Sequence, residues 1–429
     1  MTDRWRPPST PSVAVRLDDV VRIEGGRILA VLAATTGDLQ LAEDSVQDAA
    51  ITALEVWPQT GVPTDPSAWL YVAARRKALD VLRRDSNRPR HEQRSTTLAG
   101  QLQRDPPPDS RIRDDVLRLI FTCCHPSLDL EHRVALALRT LCGLSTAEVA
   151  RALLVSEATM AKRLVRTKQK IVRAAIPYRI PGDEELPGRI AAVCAVVHLV
   201  YTAGHHATGA EVVRTDLCDE GLRLVGLVDE LLPGDAMVEA LLALLLLTDA
   251  RRPARLEADG SLVPLPEQDR SLWDRSKIDR GVALLNRSLA RSGNVADPYQ
   301  LQAAIAACHS TAESHASTDW PEIVRLYGIL ADVHPNPVVD LNAAIAIGEV
   351  DGPAAALDRL ARVEAPARSH LWHVGRAEML LRMGDRPAAA AAFEVAVAAA
   401  PTEPERRHLA GRLQACGEPG DSPAAASAV

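Results

Sequence analysis

The chain has 429 residues, 47% hydrophobic but only 3% aromatic, with a net charge of −7 at pH 7. That length excludes a single hydrophobic core and sets two or three domains as the expectation, and seven Cys without a CxxC pair fit reduced thiols better than a disulfide framework. The overall sign argues against a nucleic-acid partner, but residues 1–180 carry 27 Lys/Arg against 21 Asp/Glu and the remainder 22 against 35, the asymmetry of a DNA-facing module joined to something else.

Aromatic and β-branched runs are scarce, so the chain is expected to be all-α. Residues 1–12 are polar and Pro-rich and are expected to be disordered. Two helical patterns follow from Asp19 to about Trp57, carried by Val20, Ile23, Ile28, Leu29 and Leu32, then by Leu39, Ala42, Val46, Ala49 and Leu54. A Pro/Gly/Thr loop is expected from Trp57 to Ser67, and a helix from Ser67 to about Arg84 that buries Leu70, Leu79 and Leu82, with Trp69 assigned to the core. Residues 86–110, with Pro106-Pro107-Pro108, read as a flexible linker. Helices are expected at about 111–124 and 129–141.

The stretch 143–170 then reads as a helix-turn-helix. Ser145 caps a first helix and Glu148 completes a capping box. Ser156 caps a second helix whose Met160, Leu164 and Ile171 face inward, while Glu157, Thr159, Lys162, Arg163, Arg166 and Lys170 point outward. A capped helix with a basic outer face after a short turn suits a major groove, although packed helix pairs with a basic face also occur without DNA. Pro177 to Pro187 marks a second boundary, followed by a helical domain over 188–415 and a disordered tail over 416–429. Near 299–401 three helical pairs read as tetratricopeptide-like: 300–335, 338–364, and 377–401, where Gly384-Asp385 separates two helices and Ala389, Phe393 and Ala396 line the second. Plain Ala-rich hairpins are the alternative.

Chemistry-bearing constellations are scarce. Cys123-Cys124-His125 invites a metal, but adjacent helical residues point about 100° apart, and His205-His206 with Asp216, Asp219 and Glu220 lacks zinc spacing. There is no P-loop, nucleophile elbow or metalloprotease motif, so neither an enzyme, a metal nor a cofactor is expected. The most apolar run, Ala240–Leu247, falls short of the ~20 residues of a membrane span, and no apolar signal segment follows the first charges. A cytoplasmic chain with no membrane partner is expected.

The acidic stretch 42–49, the Trp69-Leu70-Tyr71 helix ending Asp80-Val81-Leu82-Arg83-Arg84, and the helix-turn-helix resemble, in that order, regions 2 and 4 of bacterial sigma factors of the extracytoplasmic-function group (group IV). Cys123-Cys124-His125-Pro126, Asp249 to Arg255, Pro298 to Ile305 and Val350 to Pro353 resemble the subgroup with a long tetratricopeptide-like C-terminal extension. The resemblance implies a region 2 domain over 13–85 and a region 4 domain over 111–176. It implies docking of Asp44, Gln47 and Asp48 on the β′ clamp helices of core RNA polymerase, with the β flap as a second polymerase contact. It places capture of a flipped −10 base at the 57–67 loop, here Gln59, Thr60 and Thr64, and on the following helix at Arg75, Arg76 and Lys77, with Arg83, Arg84, Arg88 and Arg90 on phosphates. Glu157, Thr159, Lys162 and Arg163 would read the −35 element, with Arg166 and Lys170 on phosphate. The extension would act in cis, with a protein partner of its own as a further expectation. A stand-alone helix-turn-helix regulator with a sensing domain is the competing reading; it leaves the acidic helix without a role.

Overall fold

The computed structural model describes residues 13–86, 109–153, 155–205, 213–257, 260–293, 296–363 and 370–417. The expectations for residues 1–12, for Arg88 and Arg90, and for most of the linker and tail lie outside them. The described residues form α-helices and short 3-10 turns, with no strand beyond a single bridge between Leu256 and Leu262. The chain divides into two compact units, 1–200 and 201–429.

The first unit starts with α1 (Val13–Thr36), α2 (Leu39–Thr60) and α3 (Pro66–Ser86). These pack through Leu29, Leu32, Val46, Trp57 and Leu70, all buried. Asp38 caps α2 by accepting from the amides of Gln40 and Leu41. The structure corrects the expected loop at 57–67: α2 continues through Pro58 to Thr60, and only 61–65 connect it to α3. Gly61 ends α2 at φ +83, a backbone region that favours glycine, and its N–H donates to Trp57 O at 2.9 Å. Trp57 meets Trp69 edge-on at 5.4 Å. Trp69 is half-buried rather than buried.

Next come α4 (Asp109–Cys123), α5 (Leu130–Thr140), α6 (Thr146–Ala152), α7 (Glu157–Arg173) and α8 (Leu186–His205). By length and composition α8 could cross a membrane, and half of its apolar window is buried in protein. Arg189 and His198 interrupt its apolar run.

The second unit holds α9 (Thr215–Leu231), α10 (Ala236–Asp249), three 3-10 turns, η1 (Arg252–Ala254), η2 (Leu265–Glu267) and η3 (Arg270–Leu272), and α11 (Arg275–Arg291). Helical hairpins follow: α12 (Pro298–Thr311) with α13 (Trp320–Val333), α14 (Pro337–Val350) with α15 (Pro353–Ala361), and α16 (His370–Arg382) with α17 (Arg386–Ala399), closed by α18 (Glu403–Gly417). This C-terminal part is tetratricopeptide-like. Small residues set its spacing: a Cβ on Gly348 would lie 2.8 Å from Met379 Sδ and 3.1 Å from Ala356 Cβ. Phe393 is fully buried among Ala377, Ala389, Ala392 and Ala396. Where the sequence places the tail from 416, α18 runs on to Gly417.

Candidate nucleic-acid interface

Two short helices build the upstream face. At α6, Ser145 accepts from Glu148 N at 3.2 Å while Glu148 Oε2 accepts from Ser145 N at 2.7 Å, the expected capping box. Ser156 Oγ caps α7 by accepting from Thr159 N at 3.2 Å. Met160, Leu164 and Thr167 are buried and fix the rotation of α7, whereas Ile171 is only half-buried. Leu154, in the turn between α6 and α7, lies outside the described residues.

Glu157, Thr159, Lys162 and Arg166 face solvent as a group. Arg163 and Lys170 are half-buried and turned toward the start of α5: Arg163 Nη2 lies 3.2 Å from Glu131 and Lys170 Nζ 3.3 Å from Asp129. Gln169 and Arg173, which the sequence reading missed, continue the exposed row of Lys162 and Arg166 at helical spacing. With Arg166 and Lys170 they line an open hollow of about 630 Å³. Their i+3/i+4 spacing was the available signal.

On α2, Asp44, Gln47 and Asp48 are exposed along one face, and Asp44 accepts from Gln40 Nε2 at 2.7 Å. Ile51 and Leu54, 56% and 48% exposed, extend that face toward the helix end. Leu54 thus stands outside the packed apolar face that the sequence pattern predicts for it. The face is acidic first and apolar second, which suits a partner that is basic and apolar in the same order.

Gln59 and Thr60 sit in the last turn of α2, not in a loop, and both side chains donate back to the helix, to Glu55 O at 3.2 Å and Val56 O at 3.1 Å. Thr64 is exposed in the connection. It shares a hollow of about 260 Å³ with Val62, Pro63, Pro66 and, from α1, Arg16, Asp19 and Val20. Arg16 and Asp19 were missed because about 45 residues separate them from the loop they meet. On α3, Arg75 is half-buried with its guanidinium 5.7 Å from the Tyr71 ring centre, Lys77 is half-buried, and Arg76, Arg83 and Arg84 are exposed. Thr64 thus lies in the connection, Gln59 and Thr60 in the helical turn just before it, and the cations are spread along α3, with Arg83 and Arg84 in its last turn.

Within this unit α2 is fastened to the helix-turn-helix. Glu43, 6% exposed, accepts from Arg139 Nε of α5 at 2.9 Å and pairs with Lys168 Nζ of α7. Lys168 also donates to Gln40 Oε1 at 3.0 Å. Arg22 lies 3.5 Å from Glu148. A Cβ on Gly26 would stand 3.1 Å from Leu141 O, and one on Gly143 (φ +70) 3.1 Å from Val21 O. The backbones of α1 and of the segments flanking α5 therefore meet with no room for side chains between them.

Cys123 and Cys124 are buried. Burial raises the Cys123 thiol to about 12 against the 3.1 Å contact with Thr140 Oγ1, and burial pushes Cys124 up as well. Burial thus favours the protonated thiol at both positions.

Sigma-70 region 2 matches residues 20–88 and sigma-70 region 4 matches 118–171, while a family of unknown function matches 189–289. An uncharacterized protein of Rhizobium meliloti (strain 1021) is 39% identical over 389 residues, covering 88% of this chain and 90% of its own. The ECF RNA polymerase sigma factor SigL of Mycobacterium tuberculosis is 33% identical over 133 residues, 30% of this chain and 71% of that protein. A crystal structure of yeast Tom70 aligns at TM-score 0.37 and 13% identity over 94% of this chain and 84% of that one. The helices thus define a two-module transcription-initiation protein of the sigma-70 kind. The chain belongs to the extracytoplasmic-function sigma factors, in the group with a long helical C-terminal extension. That family is not one of enzymes.

Proposed function

We propose that this chain binds core RNA polymerase, recognises −35 and −10 promoter elements and starts transcription in the cytoplasm, with its C-terminal domain supporting activity in cis. The observation that carries the reading is the exposed face of α2. Asp44, Gln47 and Asp48 stand clear of the protein's own contacts with the helix-turn-helix, while Glu43, their neighbour, is consumed by them. The acidic face docks on the β′ clamp helices, and the helix-turn-helix meets the β flap.

On α7, Glu157, Thr159 and Lys162 meet base edges of the −35 element, and Arg163 joins them on leaving Glu131. Arg166 and Lys170 meet phosphate. At the other end of the unit, the hollow beside Thr64 receives a flipped −10 base, with Gln59 and Thr60 at its approach. Arg75, Arg76, Lys77, Arg83 and Arg84 hold the single strand. Region 2 covers 13–85, region 4 covers 111–176, and the extension covers 188–415.

The packed first unit is a resting arrangement. A compact body of its 200 residues has a radius of gyration of roughly 16 Å, whereas elements about 25 base pairs apart at roughly 3.4 Å each lie on the order of 80 Å apart. Regions 2 and 4 must therefore part before both can be read.

Run-off transcription with core polymerase tests the reading, comparing the full chain with one ending near Ile180. A stand-alone regulator would bind duplex DNA alone and would not co-purify with core enzyme.

A further inference from the structure

The second unit contains arginines that its own acids do not match. Asp249, fully buried, is well supplied: Lys277 Nζ lies at 2.7 Å, Arg252 Nη2 at 3.2 Å and the Tyr201 hydroxyl at 3.4 Å. Arg252 has a second carboxylate in Asp219 at 2.7 Å. Arg251, the next residue along, has none. Among the described residues its side chain makes no hydrogen bond or ion pair, and its Nε is shut off from solvent without an acceptor. Its electrostatic neighbours are two more arginines, Arg255 and Arg270, and the hydroxyls of Tyr201 and Tyr327.

Local structure brings these groups together. Asp274 N donates to Ala250 O at 3.0 Å and η1 packs on η3, which sets the 270–274 segment beside the end of α10. Arg270 stacks 4.5 Å over the Trp273 ring and donates Nη1 to His309 O at 2.8 Å and Ala312 O at 2.7 Å, at the end of α12. Its Nη2 is buried without an acceptor, as is Trp273 Nε1. Arg255 donates Nη1 to His205 O at 2.8 Å. Three buried donors without acceptors thus fall on the stretch 251–273, and among the described residues no carboxylate forms an ion pair with Arg251, Arg255 or Arg270, although Glu405 and Asp249 act on Arg255 from a distance.

Arg251, Arg255 and Arg270 are half-buried, and guanidinium groups withdrawn from water are ordinarily paired, since removing an ion from water without a counterion costs several kcal/mol. We propose that Arg251, together with Arg255 and Arg270, forms a binding site for an oxyanion, the carboxylate or phosphate group of a ligand. The electrostatics agree. Burial, reinforced by Arg255 and Arg270, lowers Arg251 to about 10; burial, then Arg251 and Arg270, lowers His309 to about 3 and keeps it neutral. A planar guanidinium accepts a two-oxygen anion in fork geometry. The ligand class is therefore an acidic small molecule or an acidic chain end. The site stands apart from promoter reading, and its test does not use transcription.

The test titrates inorganic phosphate, and separately glutarate, into the full chain at constant ionic strength set with chloride, reading Tm and Trp fluorescence. One of the two should raise Tm with saturation, and the tighter of them identifies the source as phosphate or carboxylate. Arg251→Met should lower that affinity at least tenfold. Because it removes an unmatched buried charge, it should leave the anion-free protein as stable or more so, which keeps the comparison within folded protein. Trp273→Phe removes one of the three acceptorless donors and the ring under Arg270, so it should lose the fluorescence change and weaken the Tm response. Responses to both anions no larger than to chloride, or an undiminished response in Arg251→Met, overturn the proposal.

Discussion

Glu43 and Arg139 lie 96 residues apart in the chain and meet at 2.9 Å, in a buried contact that Lys168 completes. One carboxylate on α2 thereby holds two cations, one of them on the helix that would read the promoter. Removing one partner of a buried pair leaves the others uncompensated. Glu43→Gln should destabilise the first unit by about 3 kcal/mol, seen as a lower urea midpoint, and should widen the molecule in small-angle scattering. Retained stability together with unchanged dimensions would mean that the glycine-to-backbone contacts at Gly26 and Gly143 suffice to hold the regions together.

The polymerase contact is tested on the other side of the same helix. Asp44→Arg with Asp48→Arg should abolish binding to core enzyme while leaving the helical circular dichroism unchanged, because both residues are exposed. Ile51→Ser with Leu54→Ser should weaken the same binding without affecting charge. Normal core affinity in both folded variants would remove the docking assignment.

On α7 the variants separate by kind. Arg166→Ala should weaken DNA binding evenly across sequences and lower the salt slope by about 0.9 per lost phosphate contact. Arg163→Ala should instead relax discrimination at one or two base pairs, by roughly 1–3 kcal/mol. Arg163 is paired with Glu131 in the resting protein, so Glu131→Gln should raise upstream affinity by releasing it. If Arg163→Ala behaves as Arg166→Ala does, α7 lies rotated in the groove.

The parts of this fold that sequence made legible are those with short-range rules. The Ser145–Glu148 box and the Ser156 cap are spacings of three, the acidic face of α2 is a spacing of three and four, and the α16–α17 hairpin is announced by Gly384-Asp385. What escaped was made by long separations. Nothing near Glu43 in sequence marks it as buried while Asp44 is exposed, because its partners arrive 96 and 125 residues later. Arg16 and Asp19 meet the 61–65 connection for the same reason. Pro58 misled in the other direction: proline suggests a break, yet α2 carries it on an exposed face and ends only at Gly61.

The α6 cap gives a pH dependence. Burial alone would raise the Glu148 carboxyl, but its hydrogen bonds with Ser145 and the charges of Arg22 and Arg151 outweigh that and hold it below the ordinary value. A carboxyl depressed in the folded state contributes stability that is complete above its unfolded pKa and is lost as pH falls through the folded one. Glu148→Gln should therefore flatten the acid limb of the stability curve below about pH 4.3 and leave its shape near neutrality unchanged. Ser145→Ala should cost about 1 kcal/mol at pH 7. An acid limb unchanged in Glu148→Gln would show that the cap does not couple to folding.

The extension is tested by where it is cut. Trp372 of α16 is buried in a cluster with Leu341, Ala344 and Leu360 of the preceding hairpin, and its Nε1 donates to Leu360 O at 3.1 Å. Met379 lies against Gly348. A chain ending before His370 loses both and exposes the apolar face they covered, so it should aggregate more than one ending near Ile180, where no half-dismantled stack is left. If the domain supports activity in cis, both truncations should lower run-off transcription. The −13 balance of residues 181–429 offers the opposite outcome, because an acidic domain tethered to basic DNA-facing surfaces is present at high effective concentration. A soluble chain ending near Ile180 that transcribes better than the full protein would make the extension an inhibitor. Its addition in trans should then silence that fragment, in a manner relieved by salt.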